Sequence, residues 1–249
     1  MPALATHGVN KAFGSLVVAR EISLALPQGA RYALIGPNGA GKTTLINLIT
    51  GMLRPDSGSI QLGADNITGL KPHQRVKRGL VRTFQINTLF PQLTALEAVM
   101  LAVSERRGFA RNFWRGLTGF PDAADEAYEI LKSLSLGDIA TRLTRELPYG
   151  QQRLLEIALA LATRPKVLLL DEPAAGVPRD ESADLFAAIA ALPSDITVLF
   201  IEHDMNLVFK FATRIIVLVQ GAILLEGTPA EIASDPRVRE VYLGGANHG

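Results

Sequence analysis

The sequence contains no cysteine. Disulfides, thiolate zinc sites and a cysteine nucleophile are excluded together, and a reducing compartment suits such a chain. Long apolar runs are missing too. The longest, residues 185–192, has eight residues, whereas a membrane-spanning helix needs about 20. Any membrane role is therefore expected to come through a partner. Charge of one sign is also lacking: 25 Lys+Arg against 24 Asp+Glu leave a net +1, with no general electrostatic pull toward nucleic acid. The four histidines stand at 7, 73, 203 and 248, no two at helical ligand spacing, so a metal site built by the protein alone is not expected. The opening MPALATHGVNKAFG has neither the basic start nor the apolar stretch of a secretory leader, and none is expected. There is no internal repeat and no low-complexity tract.

What is present is a globular composition: 249 residues, 48% hydrophobic and 20% charged, enough for one core with a sizeable subdomain. Short β-like runs alternate with helical stretches, which predicts an α/β core with mainly parallel strands. Residues 31–35 (RYALI) read as a strand, and residues 43–50 as a helix stopped by Gly51. The runs at 167–171 (VLLLD) and 196–202 (ITVLFIE) are nearly continuous in apolar residues, as strands covered on both faces are. Residues 215–219 and 222–226 flank Gln220-Gly221 and predict a hairpin. Between about 86 and 163 the pattern turns helical. One helix is predicted over 122–136, with Asp122 as N-cap and Gly137 as stop, and another over 151–163, ended by Arg164-Pro165. Thr228-Pro229-Ala230-Glu231 has capping-box spacing.

The sharpest motif is Gly36-Pro37-Asn38-Gly39-Ala40-Gly41-Lys42-Thr43, which satisfies G-x-x-x-x-G-K-[ST] and falls after a strand and before a helix, as the motif requires. Its glycines let successive N–H groups turn toward phosphate oxygens, and the helix N-terminus adds its dipole. In that reading Lys42 bridges β- and γ-phosphates and the Thr43 hydroxyl ligates Mg²⁺. A nucleotide site also needs an acidic strand end. Residues 167–172 supply it, with Asp171 placed to hold the metal shell and Glu172 to face the attacking water as general base. His203, after the next strand, is either a donor to the γ-phosphate or an ordinary surface residue. Gln85, where the core gives way to the helical stretch, is either a contact to metal or water or a plain polar residue.

These motifs together resemble the ATP-binding subunits of ABC transporters. Five stand in that family's order: GPNGAGKTT at 36–44, RTFQ at 82–85, the signature-like LPYGQQ at 147–152, VLLLDEP at 167–173 and IEHD at 201–204. The resemblance covers nearly the whole chain from about residue 4. It implies a RecA-like P-loop NTPase core, a mainly parallel sheet with antiparallel β additions, and an inserted helical subdomain of ABC ATPase type. The expected division is 1–85 with 164–249 for the nucleotide-binding core and 86–163 for the helical signature subdomain. By resemblance, Phe13 stacks on adenine and Thr44 completes the phosphate loop. Gln85 serves the metal, His203 is the switch histidine, and Pro148, Tyr149, Gly150 and Gln151 form the signature facing a second subunit's ATP. ATP and Mg²⁺ are the implied ligands.

RTFQ, LPYGQQR with EIA, LLLDEPAAG, IEHDM and the ending VYLGG are similar to the branched-chain amino acid importers. Urea or short-amide importers and lipopolysaccharide-export ATPases share some of these phrases. The implied partners are a second ABC ATPase subunit, identical or paralogous, in a head-to-tail dimer; integral membrane permease subunits; and indirectly a solute-binding protein. The implied location is the cytoplasmic face of the inner membrane. A DNA-repair ABC ATPase would carry long coiled coils, but only 61 residues separate Gln85 from Leu147, without sustained heptads.

Two departures stand out. Pro148 and Tyr149 replace the Ser and first Gly of the usual Leu-Ser-Gly-Gly-Gln, removing a hydroxyl and an N–H. Val177-Pro178-Arg179 stands where the family usually carries an Asp. The stretch near 105–121 resembles an extra segment of the importer subfamily. Within it, residues 106–115 mix four Arg with three aromatics, suited either to a permease or membrane surface or to an amphipathic loop packed on the helical subdomain.

Overall fold

The computed structural model describes residues 1–83, 89–108 and 121–243. The chain divides into two compact units, one of Met1–Arg82, Lys166–Glu172 and Pro193–Gly249, the other of Thr83–Pro165 and Pro173–Leu192.

The first unit contains two sheets. The larger orders its strands β10-β9-β3-β8-β7-β6, with β3 at Arg31–Ile35, β6 at Leu80–Arg82, β7 at Val167–Asp171, β8 at Thr197–Ile201, β9 at Arg214–Val219 and β10 at Ala222–Gly227. The pairs β6–β7, β7–β8, β8–β3 and β3–β9 are parallel, and only β10 runs antiparallel, as the outer arm of a hairpin with β9. This is the mainly parallel α/β sheet that the apolar runs predict. Its central strands are buried throughout, because both faces are covered. Leu34, Leu169, Leu199 and Ile216 from the sheet join Leu45 and Leu48 in one apolar core.

The smaller sheet, β2-β1-β4-β5, is antiparallel. It consists of β1 (Leu4–Phe13), β2 (Leu16–Leu26), β4 (Ser57–Leu62) and β5 (Asp65–Asn66). The family resemblance implies antiparallel additions, but the sequence pattern does not locate these strands. Their register shifts between Thr6 and Val9 and again between Val9 and Lys11, so clean alternation is lost. Asn10 locks the irregularity: its Nδ2 donates to the Gly8 carbonyl and to Ser57 Oγ, and its Oδ1 accepts from the Glu21 N–H. Glu21 itself has φ +47.

Helices α1 (Lys42–Thr50), α2 (Pro72–Val76), α7 (Met205–Phe211), α8 (Pro229–Ser234) and α9 (Pro236–Leu243) complete this unit. The capping box at Thr228 and Glu231 forms as its spacing predicts. The end of α1 depends on Arg75, which is 1% exposed. Its guanidinium donates to the carbonyls of Leu48, Ile49, Thr68 and Leu70, satisfying the open end of the helix with a cation, the sign its dipole favours. Burial pushes the Arg75 guanidinium down to about 10. Arg75→Met removes four hydrogen bonds, leaving the Leu48 carbonyl only its bond from the Gly51 N–H, and should cost about 2–4 kcal/mol, after the relief from burying a charge. At roughly 2–4 °C per kcal/mol for a chain of this size, calorimetry should show the melting midpoint falling by about 5–15 °C.

The second unit is helical: α3 (Ala95–Arg106), α4 (Pro121–Ser133), α5 (Tyr149–Ala162) and α6 (Arg179–Ala190). Residues 173–192, which the expected division assigns to the nucleotide core, group with these helices. One bond that ties them there is from the Gly150 N–H at the start of α5 to Glu181 Oε2 on α6. Both predicted helices shift at their ends, and Asp122, expected as the N-cap of the first, lies in its first turn because that helix begins at Pro121. The second predicted helix starts at Tyr149 because Pro148 serves as its N-cap. The first ends at Ser133, two residues before Ser135 turns to φ +58.

Glu126 of α4 accepts from Arg106, Arg107 and Arg164. The Arg106 hydrogen bond, reinforced by Arg164 and Arg107, holds its carboxyl at about 2, against 4.5 ordinarily. A carboxyl depressed in the folded state stabilises above its unfolded value and loses that contribution as pH falls toward its folded value. Urea denaturation should therefore show stability dropping between about pH 4.5 and pH 2. Glu126→Gln should be less stable at pH 7 and should flatten that decline.

Candidate active site

Parallel strands bring their carboxyl ends to one edge of a sheet, where ligands of such folds gather. Here β3, β8 and β7 are adjacent, with Leu34 opposite Ile201 and Ile201 opposite Asp171. The segments leaving that edge are residues 36–41 after β3, Glu172 after β7, and Glu202-His203 after β8. Three of the sequence motifs thus meet along one row because of strand order, although more than a hundred residues separate the first from the others.

The loop from Gly36 to Gly41 runs directly into α1. Gly41 has φ +103, and a Cβ there would lie 2.8 Å from the Val18 carbonyl oxygen, so glycine is required both by dihedral and by space. No side chain caps the start of α1. Its first-turn N–H groups are left for another acceptor, at the positive end of the helix dipole. Lys42 is only 8% exposed, and its Nζ folds back on the loop, donating to the Gly36 carbonyl at 2.7 Å and the Pro37 carbonyl at 3.1 Å. Burial pushes its ammonium below the ordinary lysine range, while Glu172 and Asp171 pull it the other way. Thr43 is exposed beside it and Thr44 half-buried; Asn38 and Gly39 are exposed, Pro37 half-buried, and Gly36 and Ala40 buried.

Asp171 is the last residue of β7 and Glu172 follows at φ +49, a left-handed backbone that costs a non-glycine residue free energy. The Glu172 N–H donates to the Ile201 carbonyl at 3.0 Å. Its Oε1 lies 2.9 Å from His203 Nε2, so the structure joins two residues that the sequence singles out separately. The His203 N–H is held by Glu202 Oε2 at 3.1 Å, and Asp204 caps α7 through the Asn206 N–H. Asp171 Oδ2 accepts from Arg82 Nη2. Arg82 carries no role in the motif reading, since only the β6–β7 register reveals its partner.

Phe13 ends β1 and is 51% exposed, with Lys11 Nζ 5.4 Å from its ring centroid. Gln85 lies outside the described residues, as do residues 109–120 of the Arg-and-aromatic segment. In the helical unit Pro148 is the N-cap of α5 without a side-chain cap bond, and Tyr149, Gly150 and Gln151 form the first turn. A Cβ on Gly150 would meet Glu181 Oε2 at 2.3 Å. The Tyr149 hydroxyl accepts from Arg153 Nη2 at 2.6 Å.

Among the described residues no group of three or more His, Cys, Asp or Glu could hold a metal ion by itself. The donors that do stand near the loop, the Thr43 hydroxyl and the Asp171 carboxylate, are hard oxygens. Such a sparse set fits Mg²⁺, which keeps several waters and takes its remaining ligands from phosphate.

The chain is similar to known proteins over nearly its whole length. A family described as ABC transporter matches residues 19–175, and one described as branched-chain amino acid ATP-binding cassette transporter matches residues 222–248. The chain is 42% identical to the high-affinity branched-chain amino acid transport ATP-binding protein BraF of Pseudomonas aeruginosa, over 98% of this chain and 99% of that one. It superposes on the ADP conformation of an ATP-binding cassette of an ABC transporter with a TM-score of 0.85 at 33% identity, covering 98% and 99% of the two chains. It also resembles a bacterial ABC transporter cassette solved as a dimer, with a TM-score of 0.73 at 26% identity over 91% of this chain and 98% of the other.

Proposed function

This chain belongs to the ATP-binding subunits of ABC transporters and is an ATPase of that family, and on that premise we propose that it drives the import of branched-chain or closely related amino acids. The observation that carries the reading is the meeting of the Lys42 loop, Asp171 and the Glu172–His203 pair along the carboxyl edge of adjacent strands. The amino acid class is supported by the names of its relatives and by the match over residues 222–248.

In the proposed mechanism the loop N–H groups and Lys42 take the β- and γ-phosphate oxygens of ATP, exchanging the Gly36 and Pro37 carbonyls for anionic acceptors. Phe13 offers an exposed ring for adenine to stack on. Bound Mg²⁺ would be held by the Thr43 hydroxyl and the Asp171 carboxylate, with Gln85 serving it as the family resemblance implies, and would neutralise phosphate charge. Glu172 accepts a proton from water as the water oxygen bonds to the γ-phosphorus. The bond from that phosphorus to the β–γ bridging oxygen breaks, and ADP leaves with the electron pair. His203 Nε2 holds the Glu172 carboxylate in place until nucleotide binds, when the same N–H turns to the γ-phosphate.

The signature turn, Pro148 to Gln151, faces the ATP of a second subunit, identical or paralogous, in a head-to-tail dimer. The dimeric cassette among its structural neighbours supports that arrangement. Among the described residues no helix is long and apolar enough to cross a membrane. The chain's likeness to transport ATP-binding proteins supports docking on permease subunits at the cytoplasmic face of the inner membrane, with a solute-binding protein supplying the substrate. Reconstitution with those subunits tests the reading. Leucine with its binding protein should stimulate phosphate release. Stimulation by urea and none by branched-chain amino acids would overturn the substrate class.

A further inference from the structure

We propose that Arg82 is the positioning residue for the metal-holding carboxylate, fixing Asp171 relative to the Thr43 hydroxyl through a bridge to Asn47; this rests on the roles given to Asp171 and Thr43 above. Arg82 ends β6 and pairs in register with Leu169 of β7. Successive side chains of a strand alternate faces, so Asp171, two residues beyond Leu169, lies on the same face about 7 Å further along. An arginine stem covers that span. Its Nη2 donates to Asp171 Oδ2 at 2.5 Å and its Nη1 to Asn47 Oδ1 at 2.8 Å. Asn47 is on α1, four residues after Thr43, hence on the same helical face one turn along. One planar fork thus joins the strand end carrying one proposed metal donor to the helix carrying the other. The geometry engages one carboxylate oxygen of Asp171, so the bridge sets the direction in which the group points.

The ion pair is largely buried, with side chains 12% and 9% exposed. An outer partner of this kind orients a metal ligand, and its loss typically costs about 10- to 100-fold in metal affinity. Lysine keeps the charge but lacks the fork, and cannot hold two acceptors in one plane.

The test uses the full chain with a fluorescent, non-hydrolysable ATP analogue. Its affinity is measured in EDTA, and Mg²⁺ is then titrated against the analogue-bound protein. In Arg82→Lys and Arg82→Met the Mg²⁺ midpoint should rise by about 10- to 100-fold, while affinity in EDTA stays within about twofold, because Lys42 and the loop are untouched. Arg82→Met leaves the Asp171 charge buried and risks misfolding. Asn47→Ala removes the other arm of the bridge without stranding a charge, and should move the Mg²⁺ midpoint in the same direction by less. A lowered melting temperature with an unmoved Mg²⁺ midpoint in Arg82→Lys and Asn47→Ala would make the bridge purely structural and overturn the proposal. Asp171→Asn separates the two levels. If it shifts the Mg²⁺ midpoint and the Arg82 variants do not, only the positioning role falls; if it leaves the midpoint unmoved, the metal reading of Asp171 falls and the proposal with it.

Discussion

Glu172→Gln should keep ATP affinity within about twofold of the unaltered chain and lower phosphate release by about 10²–10⁴, the usual worth of a general base. The amide is nearly isosteric with the carboxylate, so the hydrogen bond to His203 Nε2, now at 2.9 Å, still finds an oxygen acceptor. The phosphate-binding groups, Lys42 and the N–H groups opening α1, are not altered. What disappears is a proton acceptor beside the water. The φ of +49 at this residue is a left-handed backbone that costs a non-glycine residue free energy. Equilibrium binding and single-turnover hydrolysis check the prediction separately. Turnover close to that of the unaltered chain would remove Glu172 from the role of base.

Lys42→Ala should have the opposite signature, weakening ATP binding by about 10- to 100-fold, the equivalent of roughly 1.5–3 kcal/mol for a charge-assisted hydrogen bond. Lys42 is the only side-chain cation in residues 36–43. Its ammonium already rests on two carbonyls of the loop, so little ordering remains to be done when phosphate arrives. The loss should appear in EDTA as well as in Mg²⁺, which sets it apart from the Arg82 variants. A nucleotide titration with unchanged affinity would contradict the role. A fall in melting temperature alone would show that Lys42 serves the loop and not the ligand.

Much of the architecture is legible in the sequence. Strands that are buried on both faces are written as unbroken apolar runs, and VLLLD and ITVLFI say where they lie. The phosphate loop was legible because its chemistry constrains spacing: glycine where the backbone must turn, and lysine at the helix start. The antiparallel sheet was not located, because a strand broken by the irregularity that Asn10 locks has no period to detect. Arg82 was hidden for another reason. Its meaning depends on which residue of β7 lies beside it, and register between distant strands is a tertiary fact. Glu181 at the start of α5 and Arg75 at the end of α1 are likewise partners brought in from other helices. Pro148 explains the displaced start of α5: it cannot donate an N–H, but it can stand just outside a helix.

In the proposed dimer one Mg-ATP is enclosed by the phosphate loop of one subunit and the signature turn of another. The most direct measurement is the mass of the Glu172→Gln protein by size exclusion with light scattering, without nucleotide and with saturating Mg-ATP. The expected result is a monomer that becomes a dimer only with Mg-ATP, and adding Lys42→Ala should move that assembly to about 10- to 100-fold higher ATP concentrations. A protein that is saturated with nucleotide yet monomeric throughout would contradict it.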